Sequence, residues 1–333
     1  MLESAETAAV SEALVGFAKS LAQENGRHGA TVNVLNDASH GGDDACAAPL
    51  EWLLSDHSTY VTGQELSVVT AAPPPAAGAA SSAVLVTGAA RGIGRATAEY
   101  MRAQQPNRPL VLVDHPSSTD ALNKVASDLG APCIALPLDV TATLGGPAVG
   151  EALSAAGAAH GGFGAVLHAA GITRDKTLAR MSAVTHWKPV IDVNLRAVAA
   201  IDTALLGTPG ALAEAGGCGF VVFGSTSGIA GNMGQTNYSA AKSGLMGYAR
   251  ARGHASRADG HRFACVAPGF IITPMTQKVP FVKRYIGARL NSLGQGGTPQ
   301  MVAAAVHFLA SPAAAGLAPG SLLRVCGQFL GGR

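Results

Sequence analysis

The chain has 333 residues, enough for about two domains, and 48% of them are hydrophobic, 13% charged and 5% aromatic. Its 23 basic and 21 acidic side chains leave a net charge of +2 with no long run of either sign, which argues against a nucleic-acid-binding surface and, in so apolar a chain, against disorder. No window of about 18 consecutive apolar residues occurs, so no membrane span is expected.

At the N-terminus, MLESAETAAV carries two glutamates and no arginine, unlike a signal or transit peptide. Residues 13–33 (ALVGFAKSLAQENGRHGATVN) run parallel to 244–264 (GLMGYARARGHASRADGHRFA) at a constant offset of 231, and 52–68 is similar to 307–325. Residues 1–69 are therefore expected to be a partial, degenerate copy of the last third of the unit that follows. It has no phosphate loop, and Thr7 and Ser11 stand opposite Tyr238 and Lys242. The uncharged stretch TAAPPPAAGAASS, residues 70–82, reads as a linker.

Beyond it, AVLVT (83–87), LVLVD (110–114), CIALPLDV (133–140), GAVLH (164–168), FVVFG (220–224) and FACVA (263–267) are continuous apolar runs, as expected of parallel strands covered on both faces. Segments of helical periodicity separate them, including one after Gly92 and one from Ala240 to Ala249. The alternation predicts right-handed βαβ crossovers and a Rossmann-like, doubly wound α/β fold. Cys46, Cys133, Cys218, Cys265 and Cys326 include no C-x-x-C pair, so reduced thiols in a reducing compartment are expected, with no zinc or other metal site.

The first strand runs directly into TGAARGIG (87–94). Gly88 permits a tight turn, Gly92 lets backbone approach a pyrophosphate, and Gly94 lets the following helix pack on the sheet. With Arg91 and Ile93, these glycines form the expected phosphate-binding turn, whose helix N-terminus offers unpaired N–H groups. Asp114 lies 20 residues past Gly94, at the end of the second strand. A carboxylate there accepts from the adenosine ribose hydroxyls and repels a 2′-phosphate. Arg91 pulls toward a 2′-phosphate, but NAD(H) is favoured, with NADP(H) the alternative.

Farther on, GSTSGIAGNMGQTNYSAAKSGL contains Ser225, Tyr238 and Lys242, with Tyr238 and Lys242 four residues apart on one helix face. A phenol titrates near pH 10. An ammonium about 4 Å away is worth roughly 4 kcal/mol at an effective dielectric of 20, before desolvation is subtracted, so Lys242 and the cationic nicotinamide ring together are expected to bring Tyr238 into range for acid–base work.

Taken together, TGAARGIG, LDV (138–140), AAG (169–171), VNL (193–195), Ser225 with YSAAK, and APG (267–269) resemble the classical short-chain dehydrogenase/reductase family over residues 83–333. The resemblance implies a catalytic tetrad of Asn194, Ser225, Tyr238 and Lys242. It places Asp139 and Val140 at the adenine, and Ala170 and Gly171 beside the cofactor. Pro268, Gly269, Ile271 and Thr273 fall near the nicotinamide. AGITRDKTLARM (170–181), GNMGQTNY (231–238) and PGFIITPMT (268–276) are similar to 3-oxoacyl-acyl-carrier-protein reductases. RVCGQ and the degenerate leader resemble their high-molecular-weight branch, which favours NADH.

The implied reaction is NADH-dependent reduction of a 3-oxoacyl thioester, carried on acyl carrier protein or coenzyme A, by a homodimer or homotetramer. The alternatives are 3-hydroxyacyl-CoA oxidation on the same scaffold and a non-catalytic cofactor-binding subunit. The expected location is the cytoplasm, or an organellar matrix if a targeting segment precedes Met1. Several positions depart from the family pattern. His168 and Ala169 replace two asparagines, and Ala264 replaces another, with an expected loss of hydrogen bonds. Arg252 and Gly253 stand where an apolar residue and an alanine would pack, which is expected to weaken that helix and its oligomer contacts. Lys283, Arg284 and Arg289 in KVPFVKRYIGARL (278–290) are placed to attract phosphopantetheine or coenzyme A phosphates, or to form a solvated helix face.

Overall fold

A computed structural model of the chain describes residues 5–38, 43–69, 82–214, 216–273 and 289–328. The linker, apart from Ser82, and the basic segment, apart from Arg289 and Leu290, lie outside the described residues. The chain opens with α1 (Ala5–Asn25), β1 (Val34–Asp37), α2 (Asp43–Leu53) and β2 (Glu65–Val68). After the linker come β3 (Ala83–Thr87), α3 (Gly92–Gln104), β4 (Leu110–Asp114), α4 (Thr119–Leu129), β5 (Cys133–Pro137), α5 (Ala148–Ala158) and β6 (Phe163–His168). The second half contains α6 (Lys188–Ile191), α7 (Ala197–Leu206), β7 (Gly219–Phe223), α8 (Thr226–Ala230) and α9 (Thr236–Ala255), then β8 (Arg262–Pro268), α10 (Pro299–Ala310) and β9 (Leu322–Val325).

The main sheet is seven-stranded and parallel, in the order β5-β4-β3-β6-β7-β8-β9. This is the doubly wound α/β architecture expected from the sequence, with the strand order reversing between β3 and β6. All five residues of β3 are buried. Val84 and Val86 face a cluster with Met101 and Val306, while Leu85 faces Leu153, Ile201 and Leu205 on the other side. Two covered faces explain why these strands are apolar at every position rather than at alternate ones. No helix among the described residues is long and apolar enough to cross a membrane.

In the N-terminal segment β1 pairs in parallel with β2, from Val34↔Glu65 to Asp37↔Val68. At an offset of 231, α1 falls on α9 and β1 falls within β8. At an offset of 256, α2 falls on α10. Trp52 and Phe308, at matching positions in that second register, stack with centroids 4.4 Å apart and planes within 8°. Backbone bonds close the contact, from Val69 N to Gly316 O and from Ala318 N to Ser67 O, both 2.8 Å.

The departures from the family pattern have local explanations. His168 recovers hydrogen bonding, because its Nε2 lies 2.7 Å from Asp202 Oδ1, while Tyr248 OH donates to Asp202 Oδ2 at 2.8 Å. His168 and Asp202 are both buried. Arg252 stays partly exposed: its guanidinium lies over the Tyr248 ring, 5.7 Å from the centroid, and donates to Thr203 Oγ1. The long side chain thus covers apolar surface while its charge reaches water. At Gly253 a Cβ would lie 2.5 Å from Gly320 N. Glycine there permits the helix to cross the chain closely, so its propensity cost is the condition of a contact rather than simple damage. Ala264 is a buried core residue.

Candidate functional site

The expected site residues converge on the carboxyl ends of the parallel strands, the edge at which doubly wound sheets bind ligands. After β3 the chain turns at Gly88 (φ +69°), where a Cβ would lie 2.7 Å from Ala170 Cα. Gly92, at φ +60°, faces open space, whereas a Cβ on Gly94 would fall on Gly88 O. Ile93 follows in the first turn of α3, and Arg91 at its N-cap is exposed, with no side-chain capping bond. The first turn contains no acidic residue, so its N–H groups remain suited to an anion.

Asp114 closes this turn from β4. Its Oδ2 accepts from Ala90 N at 2.9 Å and its Oδ1 from His115 N at 2.8 Å. One strand farther out, Asp139 Oδ1 accepts from Thr141 N at 2.9 Å, and Oδ2 lies 4.0 Å from His115 Nε2. Val140 begins the short 3₁₀ turn after it and is largely buried. Across the switch point, Ala170 N donates to Thr87 Oγ1 at 3.2 Å. Asp114, Asp139 and Ala170 thus lie around one rim.

Asn194 lies in a π-helical turn, Asp192–Arg196, and is fully buried; such turns often mark functional positions. Its Nδ2 donates to Ile172 O at 2.9 Å and Val190 O at 2.8 Å. Its Oδ1 has no protein partner among the described residues and faces Gly171, where a Cβ would lie 2.6 Å from that oxygen and 3.5 Å from Lys242 Nζ. Ser225 caps α8, accepting from Ser227 N at 3.1 Å, and its hydroxyl neighbours the Tyr238 side chain. Lys242 is buried, donates to Phe223 O at 2.7 Å, and lies 5.5 Å from the Tyr238 ring centroid. Asn194, Ser225, Tyr238 and Lys242 therefore share one cluster.

Burial dominates the electrostatics of this cluster in the chain alone. Burial pushes Tyr238 up to about 12; the neighbouring Ser225 hydroxyl opposes this and Asp175 adds to it. Burial also pulls Lys242 down to about 8. In the protein by itself desolvation outweighs any help from the lysine, whose ammonium is directed to Phe223 O instead.

On the far rim, Pro268 ends β8 and its carbonyl accepts from Thr226 Oγ1 at 3.5 Å. Gly269 N donates to Val325 O at 2.9 Å, and a Cβ on Gly269 would lie 2.6 Å from Cys326 Cβ. Ile271 forms a bridge with Gly297, and both Ile271 and Thr273 are buried.

Sequence reasoning missed the residues that hold the loop before α6. Asn237 Nδ2 donates to Arg174 O and His186 O, and its Oδ1 accepts from Tyr238 N. Gln235 Nε2 donates to Asp175 Oδ2 at 2.9 Å, and Lys176 N to Gly234 O at 2.8 Å. These bonds join the 170–181 and 231–238 motifs, but no spacing rule links positions some sixty residues apart. Among the described residues no group of three or more His, Cys, Asp or Glu is placed to hold a metal.

Two features fit a dinucleotide cofactor. The glycine cradle is open at Gly92 and closed by backbone at Gly88 and Gly94, and a buried amide oxygen of Asn194 faces the cluster. Over residues 88–327 the chain matches a family described as enoyl-(acyl carrier protein) reductase. The 3-oxoacyl-acyl-carrier-protein reductase of Vibrio harveyi is 34% identical over 231 residues, which is 69% of this chain and 90% of that protein. The Thermotoga maritima reductase of the same description is 35% identical over 227 residues (68% and 89%), and that of Escherichia coli 35% over 231 (69% and 90%). With the fold and the cofactor cradle, these matches show that the chain belongs to the short-chain dehydrogenase/reductase family and is an NAD(P)-dependent oxidoreductase acting on CH–OH groups.

Proposed function

We propose that the protein reduces 3-oxoacyl thioesters to 3-hydroxyacyl thioesters with NADH, the acyl group being carried on acyl carrier protein or coenzyme A. The observation that carries this reading is the pair of neighbouring hydroxyls, Ser225 and Tyr238, beside buried Lys242. Two adjacent hydroxyls suit a single carbonyl oxygen that gains charge and then a proton. Reduction of an enoyl double bond delivers its proton to carbon instead, so the pair favours the substrate named for the relatives over that in the family description.

In this reading Ser225 donates to the ketone oxygen and Tyr238 O–H transfers its proton to it. A tyrosine pushed up to about 12 by burial keeps that proton until the oxygen becomes basic. Lys242 holds positive charge near the phenolate that results. Asn194 Oδ1, facing Gly171 and Lys242, orients the polar groups behind the tyrosine. Gly88, Arg91, Gly92, Ile93 and Gly94 hold the pyrophosphate, while Asp114, Asp139 and Val140 hold the adenosine. Ala170, Gly171, Pro268, Gly269, Ile271 and Thr273 hold the nicotinamide end. The bound cofactor supplies the hydride.

The preference for NADH rests on Asp114, whose carboxylate lies at the turn and repels a 2′-phosphate more strongly than exposed Arg91 attracts it. The test is turnover of acetoacetyl-CoA by the purified chain with NADH and with NADPH, beside Tyr238→Phe. NADH should be preferred, and the variant should lose at least about a hundredfold in kcat while still binding NADH. A Tyr238→Phe rate near that of the unaltered chain would overturn the reading, as would turnover of crotonyl-CoA in preference to acetoacetyl-CoA.

A further inference from the structure

Tyr60 belongs to the N-terminal segment but is almost completely buried against the nicotinamide side of the proposed cofactor site. Its hydroxyl donates to Gln295 O at 2.8 Å and accepts from Asn291 Nδ2 at 3.3 Å. Burial raises its pKa, so the hydroxyl remains a donor. Its ring lies against two glycines: a Cβ would lie 2.5 Å from Tyr60 Cε1 at Gly297 and 2.8 Å from Tyr60 Cε2 at Gly327. Gly297 is in turn paired with the loop after β8. Its N–H donates to Phe270 O at 3.0 Å, and its carbonyl accepts from Ile272 N at 2.9 Å.

The other side of that loop is tied to the same segment. Gly269 donates to Val325 O, and Gly327 N donates to Tyr60 O at 2.9 Å. Gln328 ends the RVCGQ motif and is the one non-glycine residue with positive φ among the described residues, at +56°. Such a conformation persists only where the surroundings fix it. Here Gln328 Nε2 donates to Lys19 O at 2.8 Å, and its Oε1 accepts from Ser292 Oγ at 2.6 Å.

We propose that Tyr60 is a positioning residue for the nicotinamide half of the cofactor site, acting through Gln295 and Gly297 on the loop 269–273. The proposal rests on the reading that this loop meets the nicotinamide. The N-terminal segment then has a task that needs no phosphate loop of its own: it sets the far rim of the neighbouring site.

The experiment is a pair of binding titrations on the full chain, one with NADH and one with ADP-ribose, which has no nicotinamide. Tyr60→Phe removes both hydrogen bonds of the buried hydroxyl and should weaken NADH about three- to tenfold, leaving ADP-ribose within about twofold. Gly297→Ala forces a Cβ into the Tyr60 ring from the opposite side and should give the same nicotinamide-selective loss. Equal weakening of both ligands, as a general loss of structure would produce, overturns the proposal, and so does unchanged NADH affinity in both variants. Failure of the unaltered chain to bind ADP-ribose would instead overturn the cofactor reading itself.

Discussion

Lys242 is placed where charge is expensive, and this can be measured. Burial lowers it from 10.5, its ordinary value, to about 8, a differential of about 3 kcal/mol. At pH 7 the folded and unfolded chains both carry the proton, so the folded state bears the whole cost. Between about pH 8 and 10.5 the unfolded chain binds a proton that the folded chain has released, so stability rises with pH across that window. Lys242→Met removes the cost and also leaves Phe223 O without its donor, a loss of about 1 kcal/mol. The variant should therefore be inactive yet about 2 kcal/mol more stable than the unaltered chain at pH 7. The gain should shrink through pH 8–10 and reverse above it. Urea unfolding of both chains at pH 7, 9 and 10 tests this: Cys265, pushed up to about 12 by burial, rises further once Lys242 is gone, so that its folded-state thiol stays protonated through this range in both chains. A variant equally destabilised at every pH would show that the buried ammonium carries no such cost.

Other perturbations address the remaining parts of the site and its support. Asp114→Ser removes the carboxylate that bonds Ala90 N and should shift the NADPH-to-NADH ratio of kcat/KM at least about tenfold toward NADPH, about 1.4 kcal/mol; steady-state kinetics with both cofactors checks this. Gly94→Ala drives a Cβ onto Gly88 O. Overpacking of about 1–3 kcal/mol should exceed a helix gain of about 1, lowering both the urea midpoint and ADP-ribose affinity. Asp202→Ala leaves His168 Nε2 and Tyr248 OH without their buried acceptor and should cost about 2–6 kcal/mol in urea unfolding.

The inner strands of the sheet were legible because both faces are covered, so burial appears as an unbroken apolar run; β5, at the edge, has such a run without a fully buried residue. β9 was not singled out as a strand: LLRV is an edge strand in which Leu323 and Val325 are buried but Leu322 and Arg324 are only half-buried. The phosphate turn and the Tyr238/Lys242 pair were legible because their partners lie within a few residues. Contacts between distant segments were not. The Asp202 that holds His168 lies 34 residues away, on a helix face with no motif. Gly253 looks like a defect until Gly320 is seen beside it. The size of the burial effect on the tyrosine was not legible for a related reason: spacing shows that Lys242 can reach Tyr238, but not that Phe223 O takes the ammonium or how deeply the phenol is desolvated.

The same distinction bears on how the N-terminal segment belongs to the fold. Composition separates residues 1–69 from the rest by an uncharged linker, as though one part were tethered to another. Packing does not follow that division. Tyr60, Val61, Leu66 and Val68 belong to the same hydrophobic cluster as Val84, Val306 and Val325, and Arg324 Nε donates to Gln64 Oε1 at 2.7 Å across the division. A tethered module can be lost without disturbing its neighbour, but a segment that shares a core cannot, because its removal exposes apolar surface at about 25 cal/mol per Å². The stability of the main sheet therefore depends on the segment, through the cluster that they share. The strained Gln328, fixed by Lys19 O from the same segment, ties that stability to the geometry of the site.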